Sequence, residues 1–159
     1  MTIEPAKWED LIFVIQNARP EDKVELLAHL GADVTPDDTA SMLANASIVK
    51  YAVFGNEGSL LGVMGVAQSS APGVPPSTAS LWFICVPGIE KVIWSLTRRL
   101  KECLTECIDM LGFDSAEVVS LSGFDQAHHW IRILGGKHLD RLQGFGHAGE
   151  DFELFIWKN

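Results

Sequence analysis

The stretch 80–111 constrains the fold more than any other part of the chain. Ser80-Leu-Trp-Phe-Ile-Cys-Val86 is an apolar run rich in aromatic and β-branched residues, the composition of a buried strand. Pro87-Gly88 breaks that run, and the apolar period then changes. Ile89, Val92, Ile93, Leu96, Leu100, Cys103, Leu104, Cys107, Ile108 and Leu111 recur at helical spacing, which predicts one continuous helix of about six turns. Lys91, Arg98, Arg99, Lys101, Glu102, Glu106 and Asp109 fall on its other faces. A strand feeding a helix through a glycine turn predicts an anion site at the helix N-terminus. The first amides there lack intrahelical partners, and the helix dipole favours negative charge.

Shorter elements make up the rest. Thr2-Ile3-Glu4-Pro5 reads as a strand, and residues 7–18 as a helix with Trp8, Leu11, Ile12, Val14 and Ile15 on its apolar side. Pro20 opens a second helix over 21–30, ended by Gly31. Thr35-Pro36-Asp37-Asp38 is an N-cap with proline at the first helical position, starting a third helix that runs to Ala46. These helices are expected to form a substrate-side lid or a plain packing layer. Segments 47–54 and 60–68 read as strands joined at Gly55-Asn56-Glu57-Gly58, a hairpin signal. Residues 69–77, with Pro72, Pro75 and Pro76, read as a flexible loop. Beyond the long helix come a strand at 116–121 and a helix at 125–134, stopped by Gly135-Gly136. Strands at 139–145 and 152–157 close the chain around Gly146-His147-Ala148-Gly149. This order predicts one mixed α/β domain over 1–159, with a central sheet of about seven strands flanked by helices.

A chain of 159 residues, 47% hydrophobic and 21% charged, can bury a proper core. Its formal charge of −9 argues against nucleic-acid binding, which needs a basic face. The acids concentrate in residues 1–60, where they would dock a basic partner, mimic DNA or simply stay solvated. No apolar run reaches transmembrane length, so no membrane role is expected. Cys85, Cys103 and Cys107 sit at apolar-pattern positions and read as reduced, packed thiols in a cytoplasmic setting. Cys103 and Cys107 share a helix face, but no ligand-rich segment accompanies them, and no metal site is expected.

Two motifs carry a resemblance. Val86-Pro87 is similar to the Val-x-Pro approach to the acetyl-CoA loop of the Gcn5-related N-acetyltransferase superfamily. Phe124-Asp-Gln-Ala127-His-His-Trp130-Ile131-Arg-Ile-Leu134-Gly135 resembles that family's Asn-x-x-Ala-x-x-aromatic-Tyr-x-x-Leu-Gly helix. A narrower resemblance, to small acetyltransferase-like virion or core proteins of T7-like podophages, rests on Trp82-Phe83, Leu134-Gly135-Gly136 and Phe152-Glu-Leu-Phe-Ile156. The resemblance implies a sheet splayed between its fourth and fifth strands, with acetyl-CoA or another acyl-CoA in the gap. The pantetheine would pair with the backbone at Ile84, Cys85 and Val86. The pyrophosphate would rest on amides from Gly88 and Ile89 to Lys91, and Phe124, Ala127 and Trp130 would complete the cofactor site. The departures are as informative. The loop Pro87-Gly88-Ile89-Glu90-Lys91 has one glycine, and Glu90 places a like charge beside the phosphates. Ile131 stands where the family's thiol-protonating tyrosine stands, and Tyr51 is the only tyrosine of the chain. Ile131→Tyr would therefore preserve or raise any transfer rate.

Among acid–base candidates, His128 is the first choice, because a neutral imidazole accepts an amine proton near neutral pH. Adjacent helical residues diverge, so at most one of His128 and His129 can enter a cleft. Ser120 and Ser122 are candidates for acyl or thiol contact. His138, His147 and the Cys85 thiol read as bystanders, and Trp82, Trp94, Trp130 and Trp157 read mainly as core. Three functions remain open: an acyl-CoA-binding acetyltransferase with weak transfer to an amine, a degenerate fold that binds and modulates a host protein, and an internal virion component. The corresponding locations are the cytoplasm, a host cytoplasm or the virion.

Overall fold

In the computed structural model, which describes residues 1–158 (the backbone alone for Lys158), one seven-stranded sheet organises the chain. Strand β1 (Thr2–Pro5) precedes helices α1 (Trp8–Gln16), α2 (Pro20–Leu30) and α3 (Pro36–Ala46). Strands β2 (Ser47–Phe54), β3 (Leu60–Gln68) and β4 (Thr78–Cys85) follow. Then come helix α4 (Ile93–Met110), strand β5 (Ser115–Leu121), helix α5 (Asp125–Ile133) and strands β6 (Lys137–Leu142) and β7 (Phe152–Lys158). The sheet order is β1-β2-β3-β4-β5-β7-β6, and every pairing is antiparallel except β4 with β5.

Local chemistry explains the helix starts. Thr35 Oγ1 accepts the Asp38 amide at 3.1 Å while Asp38 Oδ2 accepts the Thr35 amide at 3.1 Å, a reciprocal cap in front of Pro36. At α1 the Lys7 amide donates to Asp10 Oδ2 at 2.8 Å. The largest core cluster joins Leu11, Val14 and Ile15 of α1 to Val63, Ile84 and Leu96 across β3, β4 and α4. A second joins Ala28 of α2 to Leu142, Phe152 and Leu154. Within the sheet, Gly65 lies under the Trp82 indole. A Cβ there would sit 2.4 Å from the ring, so only glycine lets Trp82 lie flat and reach Ser47 Oγ with its N–H at 2.9 Å.

The expected six-turn helix is broken. Residues Ile89–Lys91 form a 3-10 turn, Val92 leaves helical geometry at φ −123°, and α4 begins only at Ile93. Ile89 and Val92 stand three residues apart and are both buried, so a tight turn that aligns i with i+3 buries the pair. Two assignments to the core also fail. Cys107 is exposed, because α4 turns Leu104 and Ile108 inward, and Trp94 is 71% exposed at the first turn of α4. Strand β6 starts and stops earlier than the pattern 139–145 suggests, since its pairing with β7 runs from Lys137 to Leu142.

Candidate functional site

Strands β4 and β5 pair at only three positions, Thr78 with Ser115, Ala79 with Ala116 and Ser80 with Glu117. Beyond Ser80 and Glu117 they part, and the wedge between them is a cavity of about 560 Å³. Its walls are β4, the far half of β5, α2, the end of α3, the start of α4 and α5. Helices α2 and α3 both contribute, through Arg19, Asp22, Glu25, Leu26, His29 and Leu43 among others.

The free edge of β4 has a definite register. The Val86 amide donates to the Leu61 carbonyl at 3.0 Å, and the Ser69 amide to the Thr78 carbonyl at 2.9 Å. Strand alternation therefore turns the polar backbone of Ile84 and Val86 toward β3, and that of Phe83 and Cys85 toward the gap. This corrects the expectation that Ile84 and Val86 pair with a bound chain. The Cys85 carbonyl is itself taken by the Arg19 amide at 3.0 Å, which leaves the Phe83 and Cys85 amides facing the wedge.

The expected phosphate loop is occupied from within. The Gly88 amide, with Gly88 at φ +105°, donates to Glu90 Oε2 at 3.0 Å. Ile89 donates to Val86 O, Lys91 to Gly88 O and Val92 to Ile89 O. Four of the five amides from Gly88 to Val92 are thus spent on their own chain. Ile89 is buried and Lys91 exposed. An anion at this loop would have to displace Glu90 from the Gly88 amide, with the first-turn amides of α4 next along the chain.

At the far end of β4, Arg19 holds Asp22 through Nε and Nη2 at 2.7 and 3.2 Å, and Cys85 Sγ donates to Asp22 Oδ2 at 3.4 Å. Burial first, and then the Asp22 charge, hold the Cys85 thiol far above the ordinary thiol range. Cys85 is therefore an inert thiol.

Ser120 lines the cavity, but its hydroxyl is committed. It donates to Glu25 Oε1 at 2.7 Å, and the Leu121 amide donates to the same oxygen at 2.6 Å. Burial pushes the Glu25 carboxyl up, against the pull of those two bonds. The structure corrects the choice of His128. That side chain is 5% exposed, meets the Phe155 ring at a tilt with 5.2 Å between ring centroids and lies away from the cavity, which its neighbour His129 lines. Burial lowers the pKa of His128, whose Nε2 has no partner. Helix α5 turns His128 to the sheet because its apolar stripe includes Ile131, three residues on. Ile131 is buried too; its Cγ2 lies 2.7 Å from where a Cβ on Gly136 would be, so a tyrosine would have to displace that turn.

Phe124, Ala127 and Trp130 all line the cavity. Trp130 spans the wedge, donating its indole N–H to Thr97 Oγ1 on α4 at 2.8 Å and meeting the Phe83 ring of β4 at 5.3 Å. Of the remaining histidines, His138 pairs with Glu153 at 2.6 Å on the surface and His147 is exposed. His29 on α2 also lines the cavity, and burial lowers its pKa.

Sequence reasoning passed over Glu117. It is 1% exposed, lines the cavity and closes the last β4–β5 pair. Ser69 Oγ donates to its Oε1 at 2.9 Å and Ser80 supports it from β4, while Oε2 has no partner. Burial pushes its carboxyl up, with the two hydroxyls pulling the other way. The available signal was a lone acid inside the strand Ser115-Ala-Glu-Val-Val-Ser-Leu121.

No protein-family model matches the chain, and no curated protein matches it in sequence. Solved structures do match. A phosphinothricin acetyltransferase of the GNAT superfamily from Sinorhizobium meliloti, solved with acetyl-CoA, superposes on this chain with a TM-score of 0.75 at 13% identity, over 99% of this chain and 87% of that one. A ribosomal-protein-alanine N-acetyltransferase from Brucella melitensis gives 0.72 at 14% identity over 100% of both chains. A spermidine N-acetyltransferase from Vibrio cholerae gives 0.70 at 12%, over 99% of this chain and 95% of that one. Full-length superposition on these enzymes, together with the β4–β5 fork, gives this chain the fold of the Gcn5-related N-acetyltransferases.

Proposed function

We propose that the protein binds an acyl-CoA in the fork and acts as an acyltransferase toward an amine, with retention of the cofactor limited by its own phosphate loop. The observation that carries this reading is the parting of β4 from β5 after three pairs, which leaves the Phe83 and Cys85 amides facing the cavity. An extended amide-bearing chain such as a pantetheine arm finds donors along that edge. The residues fit the group along this arm, and fit it less well at the diphosphate, where Glu90 already holds the Gly88 amide. Lys91 and the α4 N-terminus are the favourable charges that remain there.

When bound, an acyl-CoA supplies an activated acyl carbon. The chain's own part is to hold it against β4 and to exclude water with Trp130 and Phe83. Neither Ile131 nor Cys85 supplies a proton to a leaving thiolate. The acid must come from another group or from water, and binding is favoured ahead of fast turnover.

Calorimetric titration with acetyl-CoA tests the reading. Saturable heat is expected, and absence of heat at millimolar ligand overturns it.

A second reading, a non-catalytic module of this fold that docks a host protein, draws on the Glu90 carboxylate standing where a phosphate would. The podophage resemblance, and with it a virion role, draws on sequence alone. A stoichiometric partner retained from host lysate by protein that binds no acetyl-CoA would favour the module, and recovery of the protein from purified particles the virion role.

A further inference from the structure

The C-terminal half of α4 carries three sulfur side chains on one flank. Cys103, Cys107 and Met110 stand at i, i+4 and i+7, a spacing that keeps them within about 60° of one another around the helix axis. The core-facing stripe lies beside them, where Ile108 packs with Ala79 and Ala116 and Leu104 packs against that cluster. Cys103 is half-buried, Cys107 is exposed and Met110 is 80% exposed. The Cys103 and Cys107 thiols lie within hydrogen-bonding reach of each other. Core packing therefore explains neither Cys107 nor Met110.

None of the three lines the cavity between β4 and β5. Among the described residues, no three of His, Cys, Asp and Glu gather around a point where a metal ion could sit, so the donor set that zinc or calcium asks for is missing. The two thiols taken alone say the same, and the thioether changes the count. Two thiolates and a thioether are soft donors, the set that selects monovalent copper, an ion that needs only two or three ligands. Met110 is the last residue of α4 and its side chain turns about three bonds, so its sulfur reaches an ion held by the thiols one turn back. The negative end of the helix dipole favours a cation at the same place.

We propose that Cys103, Cys107 and Met110 form a site for one Cu⁺ ion on the surface of α4, outside the fork. On binding, two S–H bonds break and two copper–thiolate bonds form. Two protons leave to solvent, the thioether adds a dative bond, and no atom changes oxidation state. The centre then carries a single negative charge, which the Arg99 guanidinium near Cys103 offsets. With Met110 exposed, the ion is open to exchange with an external thiol.

Anaerobic titration of the reduced protein against the coloured Cu⁺–bicinchoninate complex tests the proposal. Wild-type protein should withdraw one equivalent of copper from the dye, and native mass spectrometry should show one copper per chain with no change of oligomeric state. Cys103→Ser and Cys107→Ser should each weaken binding by more than about tenfold. Met110→Leu, which keeps the bulk and loses the sulfur, should weaken it several-fold, and Zn²⁺ should bind the wild type far more weakly than Cu⁺ does. Failure of the wild type to take copper from the dye overturns the proposal, as does wild-type affinity in Cys107→Ser or Met110→Leu. A copper-dependent dimer overturns it too, since the ion would then join two chains, and so does zinc binding as tight as copper binding. If circular dichroism shows Cys103→Ser unfolded, Cys107→Ser at its exposed position carries the test.

Discussion

Glu90 Oε2 accepts the Gly88 amide at 3.0 Å, so a carboxylate of the chain itself sits on the amide that a phosphate would seek. The pair is exposed and only two residues apart, which makes it weak and displaceable.

Glu90→Ala should therefore raise acetyl-CoA affinity. Freeing one amide and removing one like charge is worth about 1 kcal/mol, or roughly five- to tenfold in Kd. Calorimetry reads the change directly, and an unaltered or weaker affinity would show that the diphosphate lies elsewhere.

Glu117 should make the protein less stable as pH rises. Its folded-state pKa is raised by burial above the ordinary carboxyl value of 4.5, so the native state resists ionisation. The stability is fully present below about pH 4.5 and is lost as pH climbs through the raised value. Glu117→Gln removes the ionisation, and should gain on the wild type by about 1–3 kcal/mol near neutral pH. Urea melts across pH should show that gap closing toward acid. A gap independent of pH would contradict the buried-charge account.

His128 should show the opposite sign. Burial lowers its pKa below 6.5, so the unfolded chain takes up the proton first and stability falls as pH drops below that value. His128→Phe keeps the contact with Phe155 and should flatten the acid limb of the stability curve while leaving acetyl-CoA affinity unchanged. A large loss of affinity in the folded variant would return His128 to the site.

The cysteines should separate by reactivity. Cys107 is exposed, whereas Cys85 is 1% exposed and its thiol is held far up by burial and by Asp22. Iodoacetamide in the native state should label Cys107 and spare Cys85, which mass spectrometry of the digest resolves. Labelling of Cys85 at a comparable rate would mean that the Arg19–Asp22 corner opens.

The fold was legible because its signals are local. Alternation marks β2 and β3, Thr35-Pro36 marks the start of α3 and Gly135-Gly136 the end of α5. The site was less so, because its decisive features join distant residues. Nothing near Ser120 shows that Glu25, 95 positions earlier, takes its hydroxyl. Nothing near Glu117 shows that Ser69 holds one oxygen and leaves the other bare. The choice between His128 and His129 depended on the rotation of α5, which is set by packing against Phe155. The break at Val92 escaped notice because Ile89 and Val92 fit an α-helical period and a 3-10 turn equally well.

The three-position seam between β4 and β5 also bears on how the molecule assembles. On one side lie four strands in an antiparallel ladder, and on the other three. Each half is held by dense pairing of its own, while the halves meet through a short parallel contact and the helices laid over it. Each half is thus suited to open and close as its own cooperative unit, with the seam the weakest bond between them. A molecule lodged in the wedge touches both units and neither alone. Its binding energy is then a clasp between two halves, felt across the whole fold as resistance to unfolding.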